Sequence, residues 1–458
     1  MSELARSRDA RLLLTGLAVD AFGTGLTLPF LVVYLHGVRG IPLETVGLIV
    51  AVPATVALVL LAPIGVLVDR IGPRRVVIVG LAAAASGALL MSRAETAAEA
   101  FAARILSGIA AAAFWPANDA LVASVVPSED RQRYFGVSFA LLNAGIGVGG
   151  IIGAVFVEVA RPETFVTVYR ADAVTFLVPL ALFLLPLRHV GGPVSSGPTT
   201  TVRAGGSYRV VLRDGVFRRL LLLGFVSSFV GYGQIEGGWT AYANAIAQVS
   251  ARTIGIAFAV NTAIIVVLQL VILRLIDGRR RTRMLMLQAA VWGCSWAVLG
   301  AAGRVPGTSL AAGLVVGFFG VFAVGETLLS PVMPAIRNDV APAALRGRYN
   351  AAASFAFQLT HISGPSVAGV LLGAGRGDAY IGMLVGGCVV LALTTLRLEQ
   401  VLPPRANGIG TADDPEAPAA SSASATGVRD HRRAGHRNRQ PDRIVRPNAR
   451  PLVSDPPC

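Results

Sequence analysis

Four ionisable side chains fall inside long apolar stretches of this chain, and their types suit proton exchange. Asp20 lies within LAVDAFGTGLTLPFLVVYL, Arg104 within FAARILSGIAAAAFWP, and Glu236 and Glu326 within later stretches. A carboxyl group in an apolar medium resists ionisation, whereas a neighbouring guanidinium group favours it. A carboxyl group balanced between these effects can bind and release a proton near neutral pH. We rank Asp20 first as the proton carrier, then Glu236, then Glu326.

Each of these groups also has a structural interpretation. The three carboxyl groups can serve as hydrogen-bond partners between packed helices, and Arg104, about one turn from the end of its stretch, can extend toward the membrane surface. Asp119 and Asp172 also lie in apolar stretches. Asp119 follows a bend expected at Pro116, and Asp172 is two residues from Arg170, so local pairing explains Asp172.

A second cluster of charge lies in residues 65–78, GVLVDRIGPRRVVI, between two apolar stretches. Gly65 permits two helices to approach closely. Asp69 can accept hydrogen bonds from the N-terminus of a neighbouring helix, where a negative charge is favoured. The alternative interpretation is a basic loop that only fixes the orientation of the chain in a membrane. The charged partners expected for the loop are Arg70, Arg74 and Arg75.

The elements that must position these groups are membrane-spanning helices. The 458 residues are 54% hydrophobic and 14% charged, whereas soluble domains are about 25% charged. A helix needs about 20 apolar residues to cross the hydrocarbon layer, and these stretches do not alternate as barrel strands do. Twelve spans are predicted, near residues 12–35, 46–68, 76–91, 101–125, 135–157, 165–187, 220–243, 254–275, 284–302, 310–336, 350–372 and 380–396.

Arginine is distributed unequally between the two sides that these spans define. With the N-terminus inside, the N-terminal arm and the cytoplasmic connections carry 22 arginines. Positive charge is retained in the cytoplasm during insertion, so a multi-pass protein of the cell (plasma) membrane with both termini cytoplasmic is predicted. The formal charge of +14 then reflects topology, and no nucleic-acid binding is expected. The opposite side carries seven arginines: Arg39, Arg93, Arg161, Arg170, Arg252, Arg304 and Arg376.

The two halves of the chain match at a fixed offset of 215 residues. This match predicts a duplication of six spans. Parallel repeats with an even number of spans place their substrate sites near mid-membrane, between the halves. Six identities within about thirty-four positions carry the match: Pro116 with Pro331, Pro127 with Pro342, Arg131 with Arg346, Arg133 with Arg348, Tyr134 with Tyr349, and Gly149 with Gly364.

Polar segments divide the chain into four parts. Residues 1–187 are predicted to form an N-terminal six-helix bundle, 188–219 a cytoplasmic central loop of flexible composition, and 220–398 a C-terminal six-helix bundle. Residues 399–458 are rich in Pro, Ala and Ser and then in Arg, and are predicted to be a disordered cytoplasmic tail. An alternative role for the tail arginines is to bind anionic lipid headgroups.

The spacing Gly-x-x-x-Asp-Arg-x-Gly-x-Arg-Arg in residues 65–75 closely resembles the signature loop between spans 2 and 3 of the major facilitator superfamily. The resemblance covers about residues 10–400. It implies an all-α integral membrane protein with twelve transmembrane helices in two six-helix bundles of pseudo-two-fold symmetry. It also implies a conformational latch that stabilises the outward-facing state. The latch residues are Gly65, Asp69, Arg70, Gly72, Arg74 and Arg75.

Weaker sequence similarities indicate the twelve-span drug/proton antiporter (multidrug efflux) branch of this superfamily. Arg104-x-x-x-Gly108 in span 4 resembles the arginine motif of proton-coupled members, which implies that Arg104 is an electrostatic partner of the proton carrier. Residues 145–154 of span 5 are similar to the glycine-rich antiporter motif. Gly150 and Ala154 stand where the motif has proline and glycine, and this departure weakens the assignment.

Aromatic and polar residues at helical spacing are candidate cavity liners, although such residues more often serve packing. A cavity of this kind would be apolar with scattered polar groups, which suits amphiphilic solutes better than sugars. His361 has no second ligand at a suitable spacing, so no metal site and no cofactor are predicted. The candidates are Phe30, Tyr34, Trp115, Tyr232, Trp239, Asn261, Phe355, Gln358 and His361.

Together these features predict a monomeric secondary active transporter, not an enzyme. It would export small amphiphilic or drug-like molecules by proton antiport with alternating access, and its partners would be the solute, protons and the lipid bilayer. One alternative is a proton-coupled or facilitative importer of a small metabolite on the same fold. Another is a sensor or scaffold that has lost transport, against which the presence of Asp20, Arg104 and the complete loop argues.

Overall fold

The computed structural model describes residues 7–192, 208–235 and 237–409, and over these residues it contains helices and no strand. Twelve helices are long and apolar enough to cross a membrane, and they coincide with the twelve apolar stretches, which confirms the predicted fold class. Numbered in chain order, spans 1–12 are Arg8–Phe30, Thr45–Ile71, Pro73–Met91, Ala97–Val125, Ser128–Phe156, Pro162–Leu184, Gly215–Ile235, Arg252–Ile276, Arg281–Ala302, Ser309–Val340, Ala343–Gly373 and Gly377–Glu399.

Polar caps fix where several spans begin. Span 4 starts at a capping box, in which the amide of Glu99 donates to the Thr96 hydroxyl at 3.3 Å and the amide of Thr96 donates to the Glu99 carboxylate at 2.9 Å. Asp214 caps span 7 by accepting hydrogen bonds from the amides of Val216 and Phe217. Such caps satisfy amide groups that have no partner within their own helix.

The α-helices of spans 1 and 7, the first spans of the two halves, are both interrupted near their C-terminal ends. In span 1 the α-helix Arg8–Thr27 gives way to a 3-10 turn at Leu28–Phe30, where Pro29 has no amide proton to continue the helix. In span 7 the α-helix Gly215–Val230 ends at Gly231. The short helical segments beyond the breaks are Val33–Val38, Tyr232–Ile235 and Gly238–Ala245.

The duplicated glycines occupy equivalent helix crossings in the two halves. Gly149 of span 5 lies against the backbone of Phe22 and Gly25 in span 1, and Gly364 of span 11 lies against the backbone of Gly233 in span 7. A Cβ at either position would meet these backbone atoms, so the crossings need glycine. The offset of 215 residues therefore relates structurally equivalent positions.

The second half is packed around aromatic side chains. Trp292 stacks on Phe322 with ring centroids 4.6 Å apart, and its Nε1 donates to the Phe322 carbonyl at 3.0 Å. Trp296 packs against Phe318 and donates to the Val230 carbonyl at 2.9 Å. Aromatic pairs of this kind add about 0.5–1.5 kcal/mol each beyond the burial of their area. The two indole N–H groups are also satisfied, which matters where no water can replace a partner.

The two halves meet at one end of the bundle, which we call the joined end. Spans 2, 4, 8 and 10 finish there, and spans 3, 5, 9 and 11 begin there. Span 2 passes close to span 11 at Gly65, where a Cβ would meet Ala351. Span 5 passes close to span 8 at Gly136, where a Cβ would meet Leu273. The joined end therefore brings the 65–78 loop against the second half.

Two segments that were predicted to be flexible contain ordered structure. In the central loop, Tyr208–Arg213 forms a short helix whose Tyr208 hydroxyl donates to the Ala62 carbonyl at 2.7 Å, while residues 193–207 lie outside the described part. After span 12, residues 400–409 were expected to begin a disordered tail. They instead form a packed segment, which we call the C-terminal strap. The tail from residue 410 onward lies outside the described residues.

The C-terminal strap contacts both halves at the joined end. The Asn407 side-chain oxygen accepts a hydrogen bond from the Thr282 amide at 2.9 Å, and the Ala406 carbonyl accepts one from Arg281 at 3.0 Å. Arg405 donates to the Ser128 hydroxyl in the first half at 3.1 Å. The strap is thus part of the joined end rather than part of a free tail.

Candidate transport site

A cavity of about 330 Å³ in the first half, the first-half cavity, holds the highest-ranked proton carrier. Asp20 of span 1, Arg104 of span 4 and Asp172 of span 6 line it, together with Tyr169 and Trp115. The sequence pointed to Asp20 and Arg104, and both line the same cavity. Their role in proton coupling remains a prediction. Asp172 is an addition that the sequence did not single out for this site.

Several polar atoms in the first-half cavity have no hydrogen-bond partner within the described part of the chain. Asp172 is 6% exposed, and its Oδ2 accepts a hydrogen bond from the Thr27 hydroxyl at 3.0 Å, but its Oδ1 has no partner. Oδ1 of Asp20 and Nε of Arg104 are likewise buried without a partner. A buried polar group left unpaired costs about 1–3 kcal/mol. The cavity therefore retains ionisable groups at the expense of stability.

The local pairing predicted for Asp172 is wrong. Asp172 does not pair with Arg170, which is exposed, but binds Thr27 of span 1. Residues two apart on a helix point in different directions, so their side chains do not meet. Arg104 is half-buried, with its Nε buried and its side chain lining the cavity, and the alternative that it extends toward the membrane surface remains a prediction.

The first-half cavity combines two carboxyl groups with one guanidinium group. When all three are ionised, one negative charge is uncompensated among the lining residues, and burying such a charge is unfavourable. One proton held by Asp20 or Asp172 removes this charge and supplies a hydrogen-bond donor. The arrangement can therefore take up and release a proton as the access of solvent changes.

The described proton-carrier candidate of the second half is, by contrast, hydrogen-bonded. Glu326 of span 10 is 4% exposed, and its Oε2 accepts a hydrogen bond from Nδ2 of Asn261 in span 8 at 2.7 Å. Asn261 also donates to the Phe319 carbonyl at 3.3 Å. These contacts agree with the structural alternative for Glu326, a hydrogen-bond partner between helices. Glu236, the second-ranked proton carrier, lies outside the described residues.

A smaller cavity of about 180 Å³, the second-half cavity, lies between spans 7, 10 and 11. Its walls are mostly apolar, with aromatic rings from Phe217, Tyr232 and Phe357. Arg337, close to the end of span 10, lines the side nearest the joined end. Tyr232 was predicted to line a cavity, and it lines this one.

The other predicted cavity liners have varied environments. Trp115 is 45% exposed and lines the first-half cavity. Tyr34 and Trp239 are fully buried, with ring centroids 5.4 Å from Phe165 and 4.6 Å from Phe319 respectively. The prediction that these two residues line a cavity is therefore wrong, since they belong to aromatic packing clusters.

The remaining five candidates line neither of the two cavities, and one of them, Asn261, is buried and hydrogen-bonded to Glu326. Phe30 packs beside Gly153, and His361 lies against Phe357 with ring centroids 4.6 Å apart. Phe355 is exposed and Gln358 is half-buried. A role for Phe355, Gln358 and His361 in solute binding remains a prediction.

Asp69 connects the two halves at the joined end. Its carboxylate accepts hydrogen bonds from the amides of Gly347 at 2.7 Å and Arg348 at 3.3 Å, and pairs with the Arg348 guanidinium at 3.1 Å. These amides lie in the first turn of the α-helix Arg346–Gly373, where they have no partner within the helix. Asp69 thus binds a helix N-terminus, as the sequence indicated, while its latch role remains a prediction.

Two glycines shape this contact. A Cβ at Gly65 would approach the Cα of Arg348, so a larger residue would hold span 2 away from span 11. Gly72 has φ of +90°, a conformation that side chains with a Cβ rarely adopt. It turns the chain directly from span 2 into Pro73, the first residue of span 3.

The arginines of the loop do not supply the partner of Asp69. Arg74 donates from Nε to the Phe183 carbonyl of span 6 at 2.9 Å, and Arg70 and Arg75 are exposed. The expectation that these three arginines pair with Asp69 is therefore wrong. The partner is Arg348 of the opposite half.

Further ion pairs at the joined end were not predicted. Asp119 of span 4 pairs with Arg337 of span 10, so it binds the opposite half. Asp339, at the end of span 10, pairs with Arg131 of span 5 and with Arg281 at 2.6 Å. The only sequence signal for these pairs was the repeat, which keeps an arginine at position 131 and at its counterpart.

Comparison with known proteins shows the family and several relatives of this chain. The chain matches the Major Facilitator Superfamily over residues 13–324. It is 24% identical over 400 residues to the uncharacterized MFS-type transporter YqjV of Bacillus subtilis, covering 84% of this chain and 92% of YqjV. It is 25% identical over 397 residues to a Na(+), Li(+), K(+)/H(+) antiporter of Planococcus maritimus, covering 80% and 90%. It is 26% identical over 160 residues to the quinolone resistance protein NorA of Staphylococcus aureus, covering 35% and 41%.

The fold also resembles a solved structure. A bacterial homologue of the iron transporter ferroportin, in an outward-facing state, superposes with a TM-score of 0.69 at 15% identity, covering 86% of this chain and 100% of that chain. The family and these relatives are membrane transporters rather than enzymes. With its twelve spans, its duplicated halves and a family match over residues 13–324, the chain belongs to the major facilitator superfamily.

Proposed function

We propose that this protein is a secondary active transporter that exports small amphiphilic or drug-like molecules in exchange for protons. The observation that carries the proposal is the first-half cavity, in which Asp20, Asp172 and Arg104 leave buried polar atoms unpaired. Ionisable groups inside a membrane bundle are costly and mark ion or proton pathways. The names of two relatives, a cation/proton antiporter and a quinolone resistance protein, support the same direction.

In the proposed orientation the joined end faces the cytoplasm, in the cell membrane, with both termini inside. The start of span 1 and the arginine-rich connections lie on that side of the twelve spans, and the retention of positive charge in the cytoplasm supports this orientation. Asp69, Asp119 and Asp339 hold the halves together there. Solute loading from the cytoplasm requires these contacts to separate, and closure restores them.

Proton binding provides the driving force in this scheme. A proton that enters from outside binds Asp20 or Asp172 and removes the charge that Arg104 leaves uncompensated, and this changes the relative free energies of the two conformations of the bundle. A membrane potential of 100 mV supplies about 2.3 kcal/mol for each charge moved. One or two protons per cycle therefore support a useful solute gradient. Both cavities lie within a single chain, which is consistent with a monomer.

The proposal is tested with purified protein in sealed liposomes that contain a pH-sensitive dye. With an imposed pH difference, we expect an amphiphilic fluorescent dye such as 8-anilinonaphthalene-1-sulfonate to move against its gradient, with protons moving in the opposite direction. Liposomes without protein give the background. Solute movement that ignores the pH difference would rule out proton antiport. Movement of solute and protons in the same direction would instead identify a proton-coupled importer.

A further inference from the structure

The second-half cavity has an uneven distribution of charge. Among its described lining residues Arg337 is the one charged side chain, and the polar groups that accompany it are hydroxyls such as those of Ser227, Ser330 and Tyr232. The rest of the wall is apolar. Glu326 of span 10 is not part of the lining, and it accepts hydrogen bonds from Asn261 and from the hydroxyl of Tyr232. An organic cation would find no opposite charge in this lining, whereas an organic anion would find a guanidinium group.

In this structure the guanidinium group of Arg337 is hydrogen-bonded to residues on two different spans. Its Nη2 donates to Asp119 of span 4, in the first half, and its Nε donates to the Asn350 side chain of span 11, in the second half. Asn350 therefore stays with Arg337 when the halves separate, but Asp119 does not. Separation at the joined end leaves the guanidinium group without its carboxylate partner.

We propose that the second-half cavity binds amphiphilic organic anions, with Arg337 binding the acidic group and Asp119 competing for Arg337 when the joined end closes. This inference rests on the proposed transport function and adds the substrate class. The apolar part of the solute packs against Phe217, Tyr232 and Phe357. The acidic group accepts charge-assisted hydrogen bonds from the guanidinium group, which is well suited to carboxylates, sulfonates and phosphates.

The exchange of partners at Arg337 makes affinity depend on conformation. When the joined end is open, Arg337 is available and the anion binds tightly. When it closes, Asp119 takes the same guanidinium group and the anion is released. A solute changes a conformational equilibrium only through such a difference in affinity between the two states. The ion pair between Asp119 and Arg337 would thus both stabilise the closed joined end and release the solute.

The test measures binding by calorimetry, with the full-length protein in phosphatidylcholine nanodiscs. Naphthalene-2-sulfonate is the anionic probe, and 2-naphthyl-trimethylammonium is the matched cation. We expect the wild-type protein to bind the anion and to bind the cation much more weakly. Arg337→Gln should weaken anion binding at least about tenfold, as expected for loss of a hydrogen bond to a charged group. Arg337→Lys should keep the preference for the anion, because it keeps the charge.

Asp119→Asn is the more specific test, because it should tighten anion binding. Removal of the competing carboxylate is expected to raise the affinity about fivefold, at the lower end of typical coupling between linked sites. Arg304→Gln is the control, since it removes an exposed arginine of the second half that pairs with Asp378 of the same half and does not line the cavity. Equal weakening by Arg304→Gln and Arg337→Gln would overturn the proposal, as would unchanged or weaker binding in Asp119→Asn. Melting curves of each variant establish that it is folded.

The acidic group can belong to a soluble solute or to an anionic lipid. Repeating the titration in nanodiscs that contain phosphatidylglycerol separates these sources, because competition that depends on Arg337 identifies the lipid headgroup. Failure of the inference and failure of the transport function are also distinguishable. Proton-driven dye movement with anion binding independent of Arg337 would remove the inference alone. Binding that depends on Arg337 without any proton-driven transport would remove the antiport proposal alone.

Discussion

The two halves share a scaffold but differ in the polar groups they bury. The first-half cavity places Asp20, Asp172 and Arg104 in one space with unpaired atoms. In the second half Glu326 is paired with Asn261, and the surrounding core is dense with aromatic rings. The helix crossings at the duplicated glycines are nevertheless equivalent. Duplication therefore preserved the packing of helices, while the chemistry of the interior diverged.

This difference leads to the hypothesis that the first half binds the proton and the second half binds the solute. Groups that must gain and lose a proton need an environment that does not satisfy either protonation state fully, and the first half provides one. A site that recognises a solute needs apolar walls and a fixed polar contact, and the second-half cavity provides those. The predictions below test this assignment of proton and solute to separate halves.

The largest effect is expected for Asp20→Asn, measured as proton-driven efflux from liposomes. Asparagine cannot carry the proton, so efflux should fall to the protein-free background, and Asp172→Asn should also impair it. Expression and membrane insertion should be unaffected. Asp9→Asn is the control, since Asp9 is on the same span but pairs with His189 near the N-terminus. Unchanged efflux in Asp20→Asn would remove Asp20 from the mechanism.

A large effect on stability is expected for Trp239→Ala in the second half. Trp239 is fully buried among Phe258, Phe318 and Phe319, and truncation of such a residue costs about 3–5 kcal/mol. Trp115→Ala, which removes a half-exposed ring from the first-half cavity, should cost far less. Thermal melting in detergent compares the two variants. Equal losses would show that the aromatic core of the second half is not specially important.

A moderate and equal effect is expected for Gly149→Ala and Gly364→Ala. In each case the added methyl group meets backbone atoms of the neighbouring span, and overpacking of this kind costs about 1–3 kcal/mol. Gly369→Ala is the matched control on span 11, because no described atom lies within 4 Å of its Cβ position. Melting temperatures that fall in only one of the two glycine variants would contradict a shared scaffold.

The smallest effect is expected for Glu326→Gln. Glutamine retains an oxygen that can accept the hydrogen bond from Asn261, so proton-driven efflux should stay within about twofold of the wild type, a difference of under 0.5 kcal/mol. Initial rates at several imposed pH differences provide the measurement. Loss of coupling in this variant, with coupling retained in Asp20→Asn, would move the proton site to the second half.

The helices could be predicted from the sequence because each apolar stretch is long enough to fix its own span. The helix N-terminus as the target of Asp69 was also predictable, since a carboxylate in a short loop favours such amides. Its partner Arg348 was not, because it is 279 residues away in the chain. Asp172 is the opposite case, because Arg170 is close to it in sequence but the partner of Asp172 in space is Thr27.

Residues with two plausible roles were the hardest to assign. Tyr34 and Trp239 have the same types and spacing as cavity liners, and only the packing of helices shows that they are buried. Asp119 and Arg337 lie on different halves, so nothing local in either segment predicts their pairing. Long-range contacts of this kind depend on how two finished bundles meet.

In the proposed cycle, the C-terminal strap bridges a contact that changes. Arg405 binds Ser128 in the first half, and Asn407 binds Thr282 in the second, so separation of the halves at the joined end would break one of these two attachments. The strap would therefore be released from one half once per cycle. A fluorophore or purification tag attached there would report on turnover, and a bulky fusion would slow it.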